Sequence, residues 1–154
     1  MINSDYRVLS QEKYSYDIPF TGTTLRLMFW KFGKEIITEQ KAWLYGVGVG
    51  DSQELLDKKM IDYNLKDSGY LGYNFHSQYI ETIVEIGLIG LNLLAFILIS
   101  FFRKMLAVQN IVGIILVIIV ATLFLTESAL EKHRGIVFLM FFISILSTET
   151  KLET

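Results

Sequence analysis

The chain has only two histidines, and one of them, His76, stands in N74-F-H-S-Q-Y-I80, directly before a long apolar run. An imidazole can exchange a proton near neutrality because its ordinary pKa is about 6.5. Arg26, in T23-T-L-R-L-M28, carries a permanently charged planar fork that matches the oxygens of phosphates and carboxylates in pairs. Both residues also admit a structural reading. A histidine at the mouth of a helix can cap it at an interface, and an arginine whose stem lies among Leu25, Leu27 and Met28 can snorkel to a lipid surface.

Other titratable groups are less suggestive. Glu81 and Glu85 lie four apart and share a helix side, while 100° per residue sets Glu85 about 180° from His76, so the two cannot form a simple dyad on one helix. Glu85 is expected to pair with a helix outside this chain or with the loop, in a structural role. His133, between Lys132 and Arg134, reads as an interfacial loop residue. In W43-L-Y-G-V-G-V-G-D51 the alternating Gly46, Gly48 and Gly50 free the backbone to turn sharply or approach a ligand closely. The spacing is not the dinucleotide fingerprint, and no strand precedes it. The chain has no cysteine and no His/Asp/Glu cluster at ligand spacing, so neither metal nor cofactor is expected.

The elements that must position these residues fall into two regimes. Residues 1–79 hold nine Lys/Arg and ten Asp/Glu, whereas Ile86 to Phe102 and Ile111 to Thr126 hold no charge. With 52% hydrophobic residues and a net charge of −2, the chain is membrane-like and lacks the basic stripe of a nucleic-acid binder. Leu25, Met28, Phe29, Phe32 and Ile36 recur at helical spacing, with Thr23 or Thr24 as the cap, and predict an amphipathic helix lying on the membrane or on other helices. A second helix is expected over Gln53 to Asn64, with Leu55, Leu56, Met60 and Tyr63 inward. Transmembrane helices are expected at about 80–102 and 105–126, turned by F102-R-K104, with a third, shorter one at 135–147 and a polar tail at 148–154. Gly87 and Gly90 are expected to permit close helix packing. Arg103 and Lys104 balance Lys132 and Arg134, so the positive-inside count leaves the orientation open.

The order of Arg26 and Trp30 on one helix, G46-V-G-V-G50, H76-S-Q-Y-I80, E85-I-G-L-I-G-L91 and T126-E-S-A-L130 resembles the C-terminal part of the O-antigen ligase and O-antigen polymerase family. The resemblance covers the chain from about Gly22 onward. It implies an all-α polytopic protein of the bacterial cytoplasmic (inner) membrane. Residues 1–79 would form amphipathic and short helices in a large periplasmic loop, followed by two to three transmembrane helices. Arg103 and Lys104 would then be cytoplasmic, and upstream helices of a longer parent would explain the missing secretory signal. The activity implied is transfer or polymerisation of a glycan from an undecaprenyl diphosphate carrier onto a sugar hydroxyl, with lipid A core or another carrier-linked glycan as acceptor. His76 matches the family's loop histidine, as the base for the attacking hydroxyl, and Arg26 its loop arginine, on the diphosphate. Glu85, Gly46 and Gly48 are supporting positions, and this piece alone is expected to be inactive. The competing reading is a small non-catalytic membrane-anchored interaction protein.

Overall fold

The computed structural model describes Lys13, Tyr14 and residues 20–148. Every regular element among them is helical: α1 (Gly22–Glu39), α2 (Val49–Asp62), α3 (Gln78–Ala107), α4 (Ile111–Thr126), a 3-10 turn (Ala129–Glu131) and α5 (His133–Ser147). Of the polar tail, only Thr148 lies among the described residues.

The helical spacing of the first half decides its packing. Met28, Phe29, Phe32 and Ile36 of α1 are buried against Leu56 and Met60 of α2, and Leu65, Phe75 and Val84 close the same core. The residues expected to lie on a membrane or on other helices thus lie on other helices. Thr21, not Thr23 or Thr24, caps α1, its hydroxyl oxygen accepting from the Thr24 amide at 3.2 Å. Helix α2 begins at Val49, four residues before its expected start, because Gly48 at φ +100° lets the chain turn directly into it.

Helix α3 is 30 residues long and apolar enough to cross a membrane. Much of its apolar surface is open, with Leu93, Phe96 and Ile99 each more than half exposed, which is not how the core helix of a compact soluble domain is packed. It also runs past the expected turn at Phe102–Lys104. The chain reverses at Val108–Asn110 instead, where Gln109 takes φ +55° and the Asn110 side chain accepts from the Gly113 amide at 2.8 Å to start α4. Met105 consequently belongs to α3, buried at the point where Gly113 brings α4 close. Helices α4 and α5, at 16 and 15 residues, are apolar but shorter than a full span.

Helix α3 is not continuous. At Gly87 the backbone takes φ 74° and ψ −163°, a region open essentially to glycine alone. In an unbroken helix the Leu88 and Ile89 amides would donate to the Val84 and Glu85 carbonyls. Here the Trp43–Gly48 loop takes over all four groups. Leu88 N–H donates to Trp43 at 2.8 Å and Ile89 N–H to Leu44 at 3.3 Å, while Val47 N–H donates to Val84 at 2.8 Å and Gly48 N–H to Glu85 at 3.0 Å. Two intrahelical bonds are exchanged for four between loop and helix. The approach leaves no space for a side chain: a Cβ on Gly87 would lie 2.4 Å from the Leu44 carbonyl, and one on Gly46 2.3 Å from that of Glu85. Gly87 therefore serves packing, as expected, but against a loop and through a break in its own helix.

Candidate functional site

His76 does not lie on α3. It occupies the turn before it, at φ +49°, and Ser77 is the N-cap residue, so the capping role open to His76 in the sequence is not the one it plays. Its amide donates to the Asn74 side chain at 3.1 Å, an Asx-type turn that holds the left-handed backbone. The ring packs against Phe29 of α1, with centroids 5.7 Å apart, and against Tyr73 at 5.8 Å.

Buried polar ties carry this turn to the end of α4. Glu81, 2% exposed, accepts from the Phe75 amide at 3.2 Å and from the Ser128 hydroxyl at 3.0 Å. The Ser77 hydroxyl donates to Phe124 C=O at 3.2 Å, the Tyr79 hydroxyl to Ala121 C=O at 3.0 Å, and the Gln78 side chain accepts from the Leu130 amide at 2.7 Å. A segment leaving one apolar helix is thereby clamped to the segment entering another. Glu127, at the end of α4, is the side chain that this clamp presents to His76.

The result is a three-residue group from three parts of the chain. His76 Nδ1 lies 3.9 Å from Glu127 Oε2. Arg26 Nη2 lies 3.5 Å from Glu127 Oε1, and Arg26 Nε donates to the Thr126 carbonyl at 3.2 Å. The Arg26 head is thus tied to protein at the end of α4 rather than only snorkelling. The His76–Glu127 distance is beyond a hydrogen bond. Nδ1 is buried and has no hydrogen-bond partner among the described residues, so the exposed part of the ring lies away from it. Burial is the main cause holding the His76 pKa below 6.5; Glu127 raises it, Arg26 and Lys132 lower it, and Glu131 raises it. An imidazole neutral at pH 7 can accept a proton, and Glu127 beside it favours the imidazolium that results.

The other expected site residues are placed elsewhere. Glu85 accepts a hydrogen bond from the Ser52 hydroxyl of α2 at 3.3 Å, a partner within the first half rather than a helix outside this chain. Gly46 and Gly48 serve the α3 break, bonded to Ala42 and α3 rather than to the Arg26–His76–Glu127 group. The carboxylates of Glu81, Glu85 and Glu131 come within 4.8 Å of one another, which corrects the reading that the chain holds no clustered acidic set. Glu131 joins from beyond α4, a proximity that spacing along the chain could not show.

Sequence reasoning gave Glu127 and Lys132 no part in the site. The available signal was a carboxylate ending a 16-residue uncharged helix, a position where an acid needs a partner. No protein-family model, no curated protein and no solved structure matches the chain.

Proposed function

We propose that the chain forms part of a membrane glycosyltransferase of the O-antigen ligase and polymerase type, moving a glycan from an undecaprenyl diphosphate carrier onto a sugar hydroxyl. The observation that carries the reading is the meeting of Arg26, His76 and Glu127 at the polar end of the α3–α4 hairpin, where a lipid-linked diphosphate would lie. In the bacterial inner membrane the α1–α2 half faces the periplasm, the Val108–Asn110 turn faces the cytoplasm, and further helices of the parent protein complete the walls of the site.

The chemistry needs little else. His76 takes the proton of the acceptor hydroxyl as its oxygen bonds to the anomeric carbon, and the bond from that carbon to the diphosphate oxygen breaks with its electron pair leaving on the diphosphate. Arg26 and Lys132 stabilise that charge. Glu127 aims the Arg26 guanidinium and stabilises the imidazolium formed when His76 is protonated. An activated leaving group of this kind calls for no further cofactor on this scheme.

The test is transfer of carrier-linked glycan by the intact membrane enzyme at matched abundance. His76→Ala should lower the rate about 10²- to 10⁴-fold, the ordinary contribution of a general base. Arg26→Lys should also lose activity, because a point charge cannot reproduce the bidentate fork. Near-normal transfer in both His76→Asn and Arg26→Lys would overturn the reading.

A further inference from the structure

Among the described residues of the first half, the loop that breaks α3 carries the most exposed aromatic cluster. Trp43 is 42%, Leu44 50% and Tyr45 72% exposed, although their backbone is bonded to the helix. Its depth follows from those bonds. Glu85 is the last carboxylate of α3, and the Trp43 and Leu44 carbonyls accept from Leu88 and Ile89, three and four residues further along the apolar run. Because Val47 and Gly48 of the same loop donate to Val84 and Glu85, the turn lies level with the break at Gly87, where the uncharged run Ile86 to Phe102 begins. The surface is also continuous: Trp43, Leu44 and Tyr45 adjoin the exposed Ile86 and Ile89 of α3.

We propose that the Trp43–Tyr45 turn inserts into the lipid leaflet crossed by the N-terminal half of α3, with the headgroup–acyl boundary as its partner. The side chains favour lipid over another helix. Helix–helix contacts in membranes select small residues that let backbones approach, whereas Trp and Tyr gather where an apolar ring can be immersed with its polar tip in the headgroups. The backbone meets part of the matching requirement. Irregular chain at membrane depth survives only where protein satisfies its polar groups, and the Trp43 and Leu44 carbonyls are both taken by α3. The break at Gly87 thus supplies the donors that let a non-helical turn enter the leaflet. The proposal is independent of which leaflet this is and of the glycan-transfer reading.

The chain has no cysteine, so single sites can be spin-labelled at exposed positions without disturbing the core. Tyr45→Cys, with Phe96→Cys on the open face of α3 and Glu54→Cys on α2 as references, is reconstituted in phosphatidylcholine vesicles. The accessibility of each label to oxygen is then compared with that to a water-soluble nickel complex. The oxygen-to-nickel ratio at Tyr45 should rise above that at Glu54 and remain below that at Phe96, as for a shallow immersed site. A Tyr45 ratio equal to that at Glu54, or a label shielded from both reagents, overturns the proposal in favour of water or a covering protein segment. Equal ratios at Phe96 and Glu54 overturn it together with the membrane reading of α3. As a second measurement, Trp30→Phe leaves Trp43 as the only tryptophan, and its fluorescence should be quenched by lipids brominated near the headgroup. Unchanged emission counts against insertion.

Discussion

Replacing Gly87 by alanine tests the broken helix most directly. The added Cβ would lie 2.4 Å from the Leu44 carbonyl and 2.6 Å from the Gly46 amide nitrogen, both backbone atoms that no rotamer change can move. It would also force alanine into φ +74°, at a cost of about 1–3 kcal/mol. The cheaper response is to close α3 into a continuous helix and release the loop. Four loop–helix bonds are then lost and the two intrahelical bonds regained, a net loss of two. At about 0.5–1.5 kcal/mol each, opening costs about 1–3 kcal/mol in the parent chain, and in the variant relief of the alanine strain, about 1–3 kcal/mol, offsets that cost, a 5- to 150-fold rise in the open population of the loop. Hydrogen exchange in detergent micelles or nanodiscs reads this at two amides, Val47 and Gly48, whose acceptors are on α3. Both should exchange faster by that factor, while amides in the body of α1 and α2 change little. Gly50→Ala is the control: it lies inside α2 with open space around a Cβ and should leave these amides unchanged. Unaltered exchange at Val47 and Gly48 in Gly87→Ala would show that the loop does not depend on the break.

Three further outcomes follow from the site and from the start of α1. Because burial holds His76 below 6.5, transfer measured against pH should be flat near pH 7 and fall on the acid side with an apparent pKa below that value. The same sign governs stability: between the folded pKa and 6.5 the unfolded chain binds more protons, so stability rises with pH through that window and is complete above it. Glu127→Gln removes the largest influence raising the His76 pKa, so the acid limb should move to still lower pH while the maximal rate falls. Thr21→Ala deletes the α1 cap and should cost about 1 kcal/mol in chemical or thermal unfolding.

What the sequence revealed depended on how local each signal was. The α1 stripe of Met28, Phe29, Phe32 and Ile36 was legible because one periodicity set both the helix and its buried face. The α3–α4 turn was misplaced because Arg103 and Lys104 looked like a loop, although charges are tolerated in the last turns of a long helix. Asn110, a good N-cap type, was the more specific sign. The Gly87 break was invisible, since E85-I-G-L-I-G-L91 suits a continuous helix and the break exists only because the Trp43–Gly48 loop completes it. Arg26 and His76 stood out by residue type. Their meeting at Glu127 depends on buried ties from Glu81, Ser77 and Gln78 across roughly fifty residues, which no spacing rule encodes.

The Gly87 break also divides α3 mechanically. Its upper portion is sewn to the α1–α2 core through Val84 and to the His76 turn through Glu81, while Leu94, Phe101 and Met105 below it pack with α4 and α5. Where α3 crosses a bilayer, the lower portion must tilt to match hydrocarbon thickness. Helix α4 spans the break, packed with Phe101 and Met105 below it and bonded to Ser77 and Tyr79 above it, and its end carries Glu127. Tilt of the lower portion therefore reaches Glu127 through α4, and the ties above the break carry His76 with it.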